Sequence, residues 1–267
     1  MKHPNIDKLY KYRPINKSTL RMLKNKKVWV STIDGFNDPF EFNFHIKNDK
    51  DLSGAIEIAT NELGDTLKDI PDKVIEDHLI SNIELSEAIK NRIEIDINMD
   101  RNKERFSKYG IYCLSELKDS ILMWSHYADD HKGICIEFER SPGSILGSDI
   151  IRKVEYKPSA PIFTYAQFKE MDPKVSARSV ILTKFEHWKY EEEWRIIVEE
   201  GNEEAPLPGR ITKIFFGLKS TKEDREVIYN LTKDIEGIEY EIMIKHEHDY
   251  KLESKEHNVA HSNQNGL

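Results

Sequence analysis

The chain has 267 residues, which is long enough for one large domain or two small ones around a sizeable core. It carries 40 basic against 48 acidic side chains, a formal net charge of −8. This acidic balance disfavours avid, sequence-independent binding of duplex nucleic acid, although it leaves nucleic acid open as a substrate. No segment has the roughly 20 apolar residues of a membrane span, and the first residues lack the apolar core of a signal peptide. We therefore expect a cytoplasmic protein without membrane contact, and its two cysteines are too few for a disulfide framework.

The first forty residues predict a strand, a helix and a second strand. Apolar and aromatic residues favour strands over 9–13 and 28–32. Ser18 is a suitable N-cap for a helix over 19–26. The Asp38-Pro39 step ends this region, because the residue before a proline is held extended, so residues 36–41 are predicted to form a loop.

The pattern changes twice further along the chain. From 52 to 108 apolar residues recur at helical spacing, which predicts a helical insertion at about 50–108. Strand patterns return after Gly110, with a short helix over 120–127, another around 165–169 and a capped helix over 221–233. The predicted strands of this second half cover residues 111–115, 133–138, 150–156, 181–184, 194–198, 211–217 and 240–244.

These elements together indicate an α+β fold with a bent antiparallel or mixed sheet. We predict a single domain over 1–250 that contains the helical insertion. The polar, aperiodic residues 251–267 are predicted to form a disordered tail.

The most informative segment runs from Trp188 to Arg195, where three consecutive carboxylates precede a strand that its apolar composition predicts to be buried. Burying carboxylates is costly unless each finds a cationic or hydrogen-bonding partner. If the segment is a strand, Glu191, Glu193 and Arg195 share one face. We interpret Glu193 as a candidate catalytic acid with Glu191 as its second acid and Arg195 beside them; the alternative is an ion-pair ladder on a solvated face.

The aromatic segment Leu122–Ala128 is the second candidate region. His126 could have a functional role there, and the alternative is ordinary core packing of the segment, Trp124 and Tyr127 included. His126 and His131 are five residues apart, so they do not share a helical face as zinc ligands would. We predict no metal site.

The first strand and the loop after the second strand supply the remaining candidates. Tyr12 and Arg13 end the first strand, where a guanidinium can clamp a phosphate or carboxylate, or can form an ordinary surface ion pair. In the loop, Phe36 could stack on a planar ring while Asn37 shapes the pocket wall. The alternative for this loop is local turn chemistry.

Taken in order, four motifs resemble a widespread bacterial domain family of unknown function over about residues 9–218. They are Tyr12-Arg13, Phe36-Asn-Asp-Pro-Phe-Glu41, Leu122-Met-Trp-Ser-His-Tyr-Ala128 and Trp188-x-Tyr-Glu-x-Glu-Trp-Arg195. The layout also resembles the ADP-ribosyltransferase fold, particularly that of bacterial toxins that modify DNA bases.

The second resemblance implies a chemistry and a set of roles. It implies NAD as the substrate, Arg13 as the residue that holds the dinucleotide, and Glu193, or else Glu191, as the late-strand acid. It also implies that Trp124 or Tyr127 stacks beside the nicotinamide. A carboxylate at this position would stabilise the oxocarbenium-like state in which the nicotinamide–ribose bond breaks.

Three functions remain open from the sequence. The first is an ADP-ribosyltransferase or NAD glycohydrolase acting as a toxin or phage-defence effector, with a nucleic acid or protein as acceptor. The second is a non-catalytic domain that binds a nucleotide or another small molecule. The third is a metal-dependent nuclease or hydrolase that uses Asp38, Glu41, Glu191 and Glu193 with His126. The oligomeric state is not indicated by the sequence.

Overall fold

The computed structural model describes residues 3–47, 106–164, 167 and 171–258. The chain forms two compact units: Met1–Phe36, Tyr109–Tyr156 and Glu186–Leu267 make the first, and Asn37–Lys108 with Lys157–Phe185 make the second. Most of the predicted helical insertion and most of the predicted helix around 165–169 lie outside the described residues. The single-domain prediction therefore stays a prediction.

The described residues contain short strands and a smaller number of helices, numbered here along the chain. The helices are α1 (Lys17–Asn25), α2 (Ile121–Tyr127), α3 (Pro173–Ile181) and α4 (Lys222–Thr232). The strands are β1 (Lys8–Arg13), β2 (Lys27–Val30), β3 (His45–Lys47), β4 (Gly110–Ser115), β5 (Ile134–Glu139), β6 (Ile151–Lys153), β7 (Glu155–Lys157), β8 (Ile162–Thr164), β9 (Thr183–Phe185), β10 (Glu193–Val198), β11 (Glu203–Pro206), β12 (Ile211–Phe216), β13 (Glu239–Lys245) and β14 (Leu252–Glu256).

A large mixed sheet organises the first unit. Its eight strands follow the order β14-β13-β12-β5-β1-β4-β10-β6. The β12–β13 pair is parallel, whereas the other neighbours are antiparallel. This sheet, with few helices among the described residues, confirms the predicted α+β class.

Each face of the sheet packs against its own layer. On the α1 face, Met22 and Leu23 of α1 and Ile228 of α4 join a core that includes Leu9 and Trp194. On the α2 face, Met123 and Trp124 of α2 pack with Tyr12, Cys135 and Phe215. Because side chains alternate along a strand, the two cores divide the residues of β1 and β5 between them.

Helix α1 is fixed at both ends by local chemistry. The Asn16 side chain accepts a hydrogen bond from the Thr19 amide, and Lys26 ends the helix in a left-handed conformation with its amide bonded to the Met22 carbonyl. The predicted cap, Ser18, is instead the second residue of the helix, so that prediction was wrong by two positions. Asn16 offers the same capping chemistry, and a pattern alone does not distinguish the two.

Several other observed elements differ from their predicted bounds because contacts with distant residues determine where they begin and end. The predicted strand over 150–156 is two short strands, β6 and β7, and the predicted strand over 181–184 begins late because α3, which was not predicted, runs to Ile181. In addition, the predicted disordered tail was wrong in its first part. There β14 pairs antiparallel with β13, and Leu252 is buried in the core of the α2 face, while residues 259–267 lie outside the described residues.

The second unit has its own aromatic contacts. Phe44 packs edge-on against Phe106 and Phe163, with ring centroids 5.4 and 5.7 Å apart. In the same unit β3 pairs with β8 in parallel, and the buried Lys184 ammonium lies 3.8 Å from Glu41. Among the described residues of both units, no helix is long and apolar enough to cross a membrane.

Candidate functional site

A buried ion pair marks the start of β10. Glu193 and Arg195 lie two residues apart on one face of the strand, as the sequence predicted, and are 4% and 0% exposed. The guanidinium of Arg195 is bidentate, with Nε 2.8 Å and a terminal nitrogen 2.9 Å from the two carboxylate oxygens of Glu193. This geometry holds the Glu193 carboxylate ionised in a dry setting.

Glu191 reaches the same region from a different backbone conformation. It ends a 3-10 segment, Glu186–Glu191, and Glu192 then takes a left-handed φ of 42° before β10 begins. Glu191 therefore does not belong to the strand, which corrects the prediction that it shares the strand face with Glu193. Its buried carboxylate accepts a hydrogen bond of 2.7 Å from the Tyr127 hydroxyl, and its carbonyl accepts one of 2.6 Å from Ser115.

Lys11 of β1 adds a cation to this acidic region. Its ammonium donates a hydrogen bond of 2.7 Å to the Cys113 carbonyl and lies 4.7 Å from the centre of the Tyr112 ring. Burial lowers the pKa of Lys11, the nearby Arg13 lowers it further, and the charges of Glu193 and Glu191 oppose that effect. Strand alternation places Lys11 on the α1 face with Leu9 and Arg13, so it acts on the two carboxylates of the α2 face through its charge and not as a contact.

The Cys113 thiol completes the cluster around Glu193. Cys113 lies directly opposite Arg195 in the β4–β10 pair, on the same face. Burial raises the pKa of the thiol, and the hydrogen-bonded Glu193 carboxylate raises it further. Cys113 is therefore a neutral thiol beside the ion pair rather than a thiolate nucleophile.

Lys11 occupies an interruption in the sheet. The β1–β4 register is fixed at Tyr10 opposite Ser115, while Ser31 bridges the other end of β4 at Ile111. Between these pairings the Cys113 carbonyl is bonded by the Lys11 side chain instead of by a strand neighbour. At this point the Lys11 side chain therefore replaces a backbone group of β1 as the partner of β4.

Arg13 does not join this cluster. Tyr10 lies opposite Ser115, and Ser115 lies opposite Glu193, so these three residues share the α2 face. Arg13 is three residues beyond Tyr10 and therefore lies on the α1 face, where its Nε and a terminal nitrogen donate to the hydroxyls of Thr19 and Ser18 at 2.9 and 3.0 Å. The resemblance to ADP-ribosyltransferases implied that Arg13 and Glu193 act on one dinucleotide, whereas the structure places them on opposite faces of the sheet.

Two aromatic candidates are core residues. Trp124 is 0% exposed, its indole nitrogen donates to the Lys118 carbonyl at 2.8 Å, and its ring meets Tyr12 edge-on. Tyr12 is buried as well, with its hydroxyl donating to the Leu117 carbonyl at 2.7 Å. The expectation that Trp124 or Tyr12 contacts a ligand is thus wrong, because packing on the α2 face uses both rings.

Three other candidates remain near the surface. His126 is exposed, and its ring centroid lies 6.2 Å from that of Tyr127 and 6.3 Å from that of Tyr190. The Phe36 ring lies 5.5 Å from the Arg195 guanidinium carbon. Asn37 is exposed and belongs to the second unit.

The loop after Phe36 has the local hydrogen bonding of a turn. The Asp38 carboxylate accepts a hydrogen bond of 2.9 Å from the Phe40 amide, and the Phe40 side chain is 77% exposed. Within the described ranges, no group of three or more histidine, cysteine, aspartate or glutamate side chains is arranged to hold a metal ion.

The carboxylate cluster formed by Glu191, Glu193 and Arg195 falls inside a stretch that resembles other proteins. Residues 123–196 match the model of a family described as a protein of unknown function, DUF2971. This match confirms the predicted resemblance to a family of unknown function, over a shorter stretch than the expected 9–218. The DUF2971 segment contains most of α2 and the residues Glu191, Glu193 and Arg195, whereas Lys11 and Cys113 lie outside it. No curated protein and no solved structure matches the chain.

Lys11 and Cys113, whose charge and thiol influence this region, were not identified from the sequence. The predicted strand over 9–13 placed Lys11 on the same face as the core residue Leu9, and a lysine at an inward position was a usable signal. Cys113 gave no such signal, since a cysteine in an apolar strand is ordinarily a small hydrophobe.

Proposed function

We propose that the protein is an NAD-consuming enzyme, an ADP-ribosyltransferase or NAD glycohydrolase with an ADP-ribosyltransferase-like sheet in its first unit. One observation carries the proposal: two buried carboxylates, Glu191 and Glu193, flank a left-handed turn, and a bidentate guanidinium holds one of them ionised. The strand–helix–strand order of β1, α1 and β2, followed by an acid on a late strand, supports the proposed fold relationship.

The chemistry uses the two acids differently. When the bond between nicotinamide and C1′ of the ribose breaks, nicotinamide leaves with the bonding electron pair and positive charge develops on the ribose. Glu193, an anion in a dry setting, stabilises that charge. Water or an acceptor then attacks C1′, and Glu191 accepts the proton that the attacking group loses.

Two neighbouring side chains, Arg195 and Tyr127, hold the two acids in position. Arg195 fixes the orientation of Glu193 by two hydrogen bonds, so the carboxylate needs little reorganisation during the reaction. Tyr127 holds Glu191 through its hydroxyl, which makes it a positioning residue.

A second candidate, a non-catalytic nucleotide-binding domain, is favoured by one specific observation. Glu193 and Glu191 already have protein partners in Arg195 and Tyr127. A structural ion-pair network of this kind also perturbs charged groups without any catalysis. In that case a nucleotide would raise the melting temperature of the protein but would not be consumed.

The deciding experiment measures free nicotinamide after incubation of the purified protein with NAD, with and without nucleic acid or protein acceptors. We expect release by the native protein and a loss of at least about 100-fold in Glu193→Gln, since removing one group that stabilises transition-state charge costs on this order. Tyr127→Phe should give a smaller loss because it removes only the hydrogen bond to Glu191. If the native protein leaves NAD intact both alone and with every acceptor, the proposal is wrong.

Two controls separate chemistry from folding. Glu137 is another buried glutamate of the sheet, 3% exposed and paired with Lys8 at 3.0 Å, so Glu137→Gln should retain nicotinamide release. Glu192 is adjacent in sequence but pairs with Lys153 at 2.9 Å, so Glu192→Gln should retain it as well. If either control loses as much activity as Glu193→Gln at equal melting temperature, Glu193 has no special role.

The proposed role as a toxin or phage-defence effector has a cellular test. Expression in a bacterial host should lower the NAD content and arrest growth, and Glu193→Gln should prevent both. Growth arrest at an unchanged NAD content would contradict the proposed activity as the cause.

A further inference from the structure

A basic cavity lies on the α1 face of the sheet, away from the carboxylate cluster. It measures about 240 Å³ and opens beside the start of α1. Four of its lining residues are cations, contributed by β1, α1 and β2: Arg13, Lys17, Arg21 and Lys27. A concentration of positive charge on a protein with a net charge of −8 is a local property that the whole-chain balance hides.

The sequence shows how this charge arises. Residues 8–33 contain eight lysines and arginines and no aspartate or glutamate. The consecutive elements β1, α1 and β2 lie within this run, which has no acidic residue, and all three contribute residues to the lining of the cavity.

The positive charge is only partly neutralised. Glu204 lies 2.7 Å from the Arg21 guanidinium and 3.6 Å from the Lys27 ammonium. Among the described residues, by contrast, neither Arg13 nor Lys17 forms an ion pair, and the hydrogen-bond partners of Arg13 are the neutral hydroxyls of Thr19 and Ser18. Arg13 is therefore pre-oriented while its charge stays uncompensated, as in sites that receive phosphate.

An aromatic ring stands at the same cavity. Trp29 of β2 lines it and is 49% exposed, an unusual degree of exposure for a large apolar ring. An exposed indole next to cations can stack on a nucleobase, a contact worth about 1–3 kcal/mol per base in proteins that bind single strands.

We propose that this cavity binds a nucleoside phosphate, with the phosphate at Arg13 and Lys17 and the base on Trp29. The volume of about 240 Å³ is below the roughly 300–1,000 Å³ of cavities that enclose larger ligands, so it fits one nucleotide unit and not a dinucleotide. The unit is either a free nucleotide or part of a nucleic acid strand, since both present the same phosphate and base. The inference does not depend on the proposed NAD chemistry, because Arg13 and Glu193 lie on opposite faces of the sheet.

Calorimetric titration of the full chain with AMP, ribose 5-phosphate, inorganic phosphate and a single-stranded oligonucleotide tests the proposal. We expect AMP to bind more tightly than ribose 5-phosphate, and Trp29→Leu to abolish that difference without changing phosphate binding. Lys17→Gln should weaken AMP about tenfold, the change expected for one lost charge-assisted contact. Binding of the oligonucleotide without AMP binding identifies a strand as the source, and AMP binding alone identifies a free nucleotide.

A matched control lies on the same helix. Lys24 is an exposed lysine of α1 that does not line this cavity, so Lys24→Gln removes the same charge and should change the affinity by less than about twofold. Equal losses in Lys17→Gln and Lys24→Gln, or no binding of any probe, would overturn the proposal. Glu193→Gln should still bind AMP whether or not the native protein consumes NAD, which keeps the two proposals separable.

Discussion

Buried charge dominates the first unit at the residue scale. Glu191, Glu193 and Arg195 are all less than 5% exposed, so the cost of burying each charged side chain must be offset by a partner in the folded protein. Strand periodicity correctly placed Glu193 and Arg195 on one face. It failed for Glu191 because the left-handed Glu192 breaks the alternation, and a positive φ at a glutamate leaves no mark in the sequence.

The energetic weight of the buried pair can be measured. Arg195→Met leaves the Glu193 carboxylate without its bidentate partner, and we expect it to lower the free energy of unfolding by about 3–5 kcal/mol. The double variant Glu193→Gln/Arg195→Met should lose less than the sum of the two single variants, by about 1–3 kcal/mol, because the residues interact directly. Urea denaturation of the four proteins provides the cycle.

An exposed pair with a similar contact between Nε and a carboxylate oxygen is the control. Arg210 Nε lies 2.9 Å from a Glu139 oxygen, but these side chains are 52% and 41% exposed. Arg210→Met should lower the free energy of unfolding by no more than about 1 kcal/mol. Similar losses in Arg195→Met and Arg210→Met would mean that burial does not set the value of the pair.

His131 provides a pH dependence at the same scale. Its side chain is buried, Nε2 lies 3.1 Å from the Ser125 hydroxyl oxygen, and burial together with the Lys219 charge lowers its pKa. The unfolded chain therefore binds a proton more readily, so this contribution to stability is present above a pH of about 6.5 and is lost as the pH falls below it.

His131→Asn should remove that acid sensitivity. Asparagine tolerates the φ of 70° found at this position, so the backbone need not change. We expect the free energy of unfolding to fall more steeply for the native protein than for the variant between about pH 6.5 and 5. Parallel curves over this range would show that His131 titrates alike in both states.

At the element scale, the sequence predicted most strands of the large sheet, because their apolar runs are bounded by turn residues. The strands at 9–13, 111–115 and 194–198 correspond to β1, β4 and β10 within one residue at each end. Short strands such as β3, β8 and β11 were missed, since three or four residues carry too little alternation to be recognised.

Close backbone contacts position these elements, and Gly133 tests their importance. A Cβ at Gly133 would lie 2.2 Å from the Arg13 carbonyl oxygen and 2.9 Å from that of Ala128, so the end of β1 and the residue after α2 would each have to move away from residue 133. We expect Gly133→Ala to lower the free energy of unfolding by about 2–3 kcal/mol.

Gly143 separates this steric effect from backbone strain. It has a φ of +90°, but a Cβ added there would meet no atom within 4 Å, so Gly143→Ala should cost only about 1 kcal/mol. Chemical denaturation of both variants gives the comparison. An equal or larger loss for Gly143→Ala would contradict the role of close packing at Gly133.

At the scale of the whole molecule, sheet topology determines which candidate residues lie on the same face, and this could not be predicted from the sequence. The resemblance to ADP-ribosyltransferases implied that Arg13 and Glu193 act on one dinucleotide, yet the register through Tyr10 and Ser115 places them on two faces of the sheet. Strand order and register depend on pairings between distant residues, and such pairings have no local pattern. The two candidate sites therefore occupy different faces of one sheet.

The placement of β14 shows the same dependence on distant contacts. This strand was predicted as disordered because its residues are polar, but Leu252, at 3% exposure, anchors it in the core of the α2 face. We expect Leu252→Ala to lower the free energy of unfolding by about 2–5 kcal/mol, the range for an emptied core position. Val227 of α4 is 44% exposed, so Val227→Ala should change it by no more than about 0.5 kcal/mol. If urea denaturation shows losses of the same size for both variants, β14 contributes nothing to the stability of the sheet, and the polar composition of its residues is the better guide to that edge.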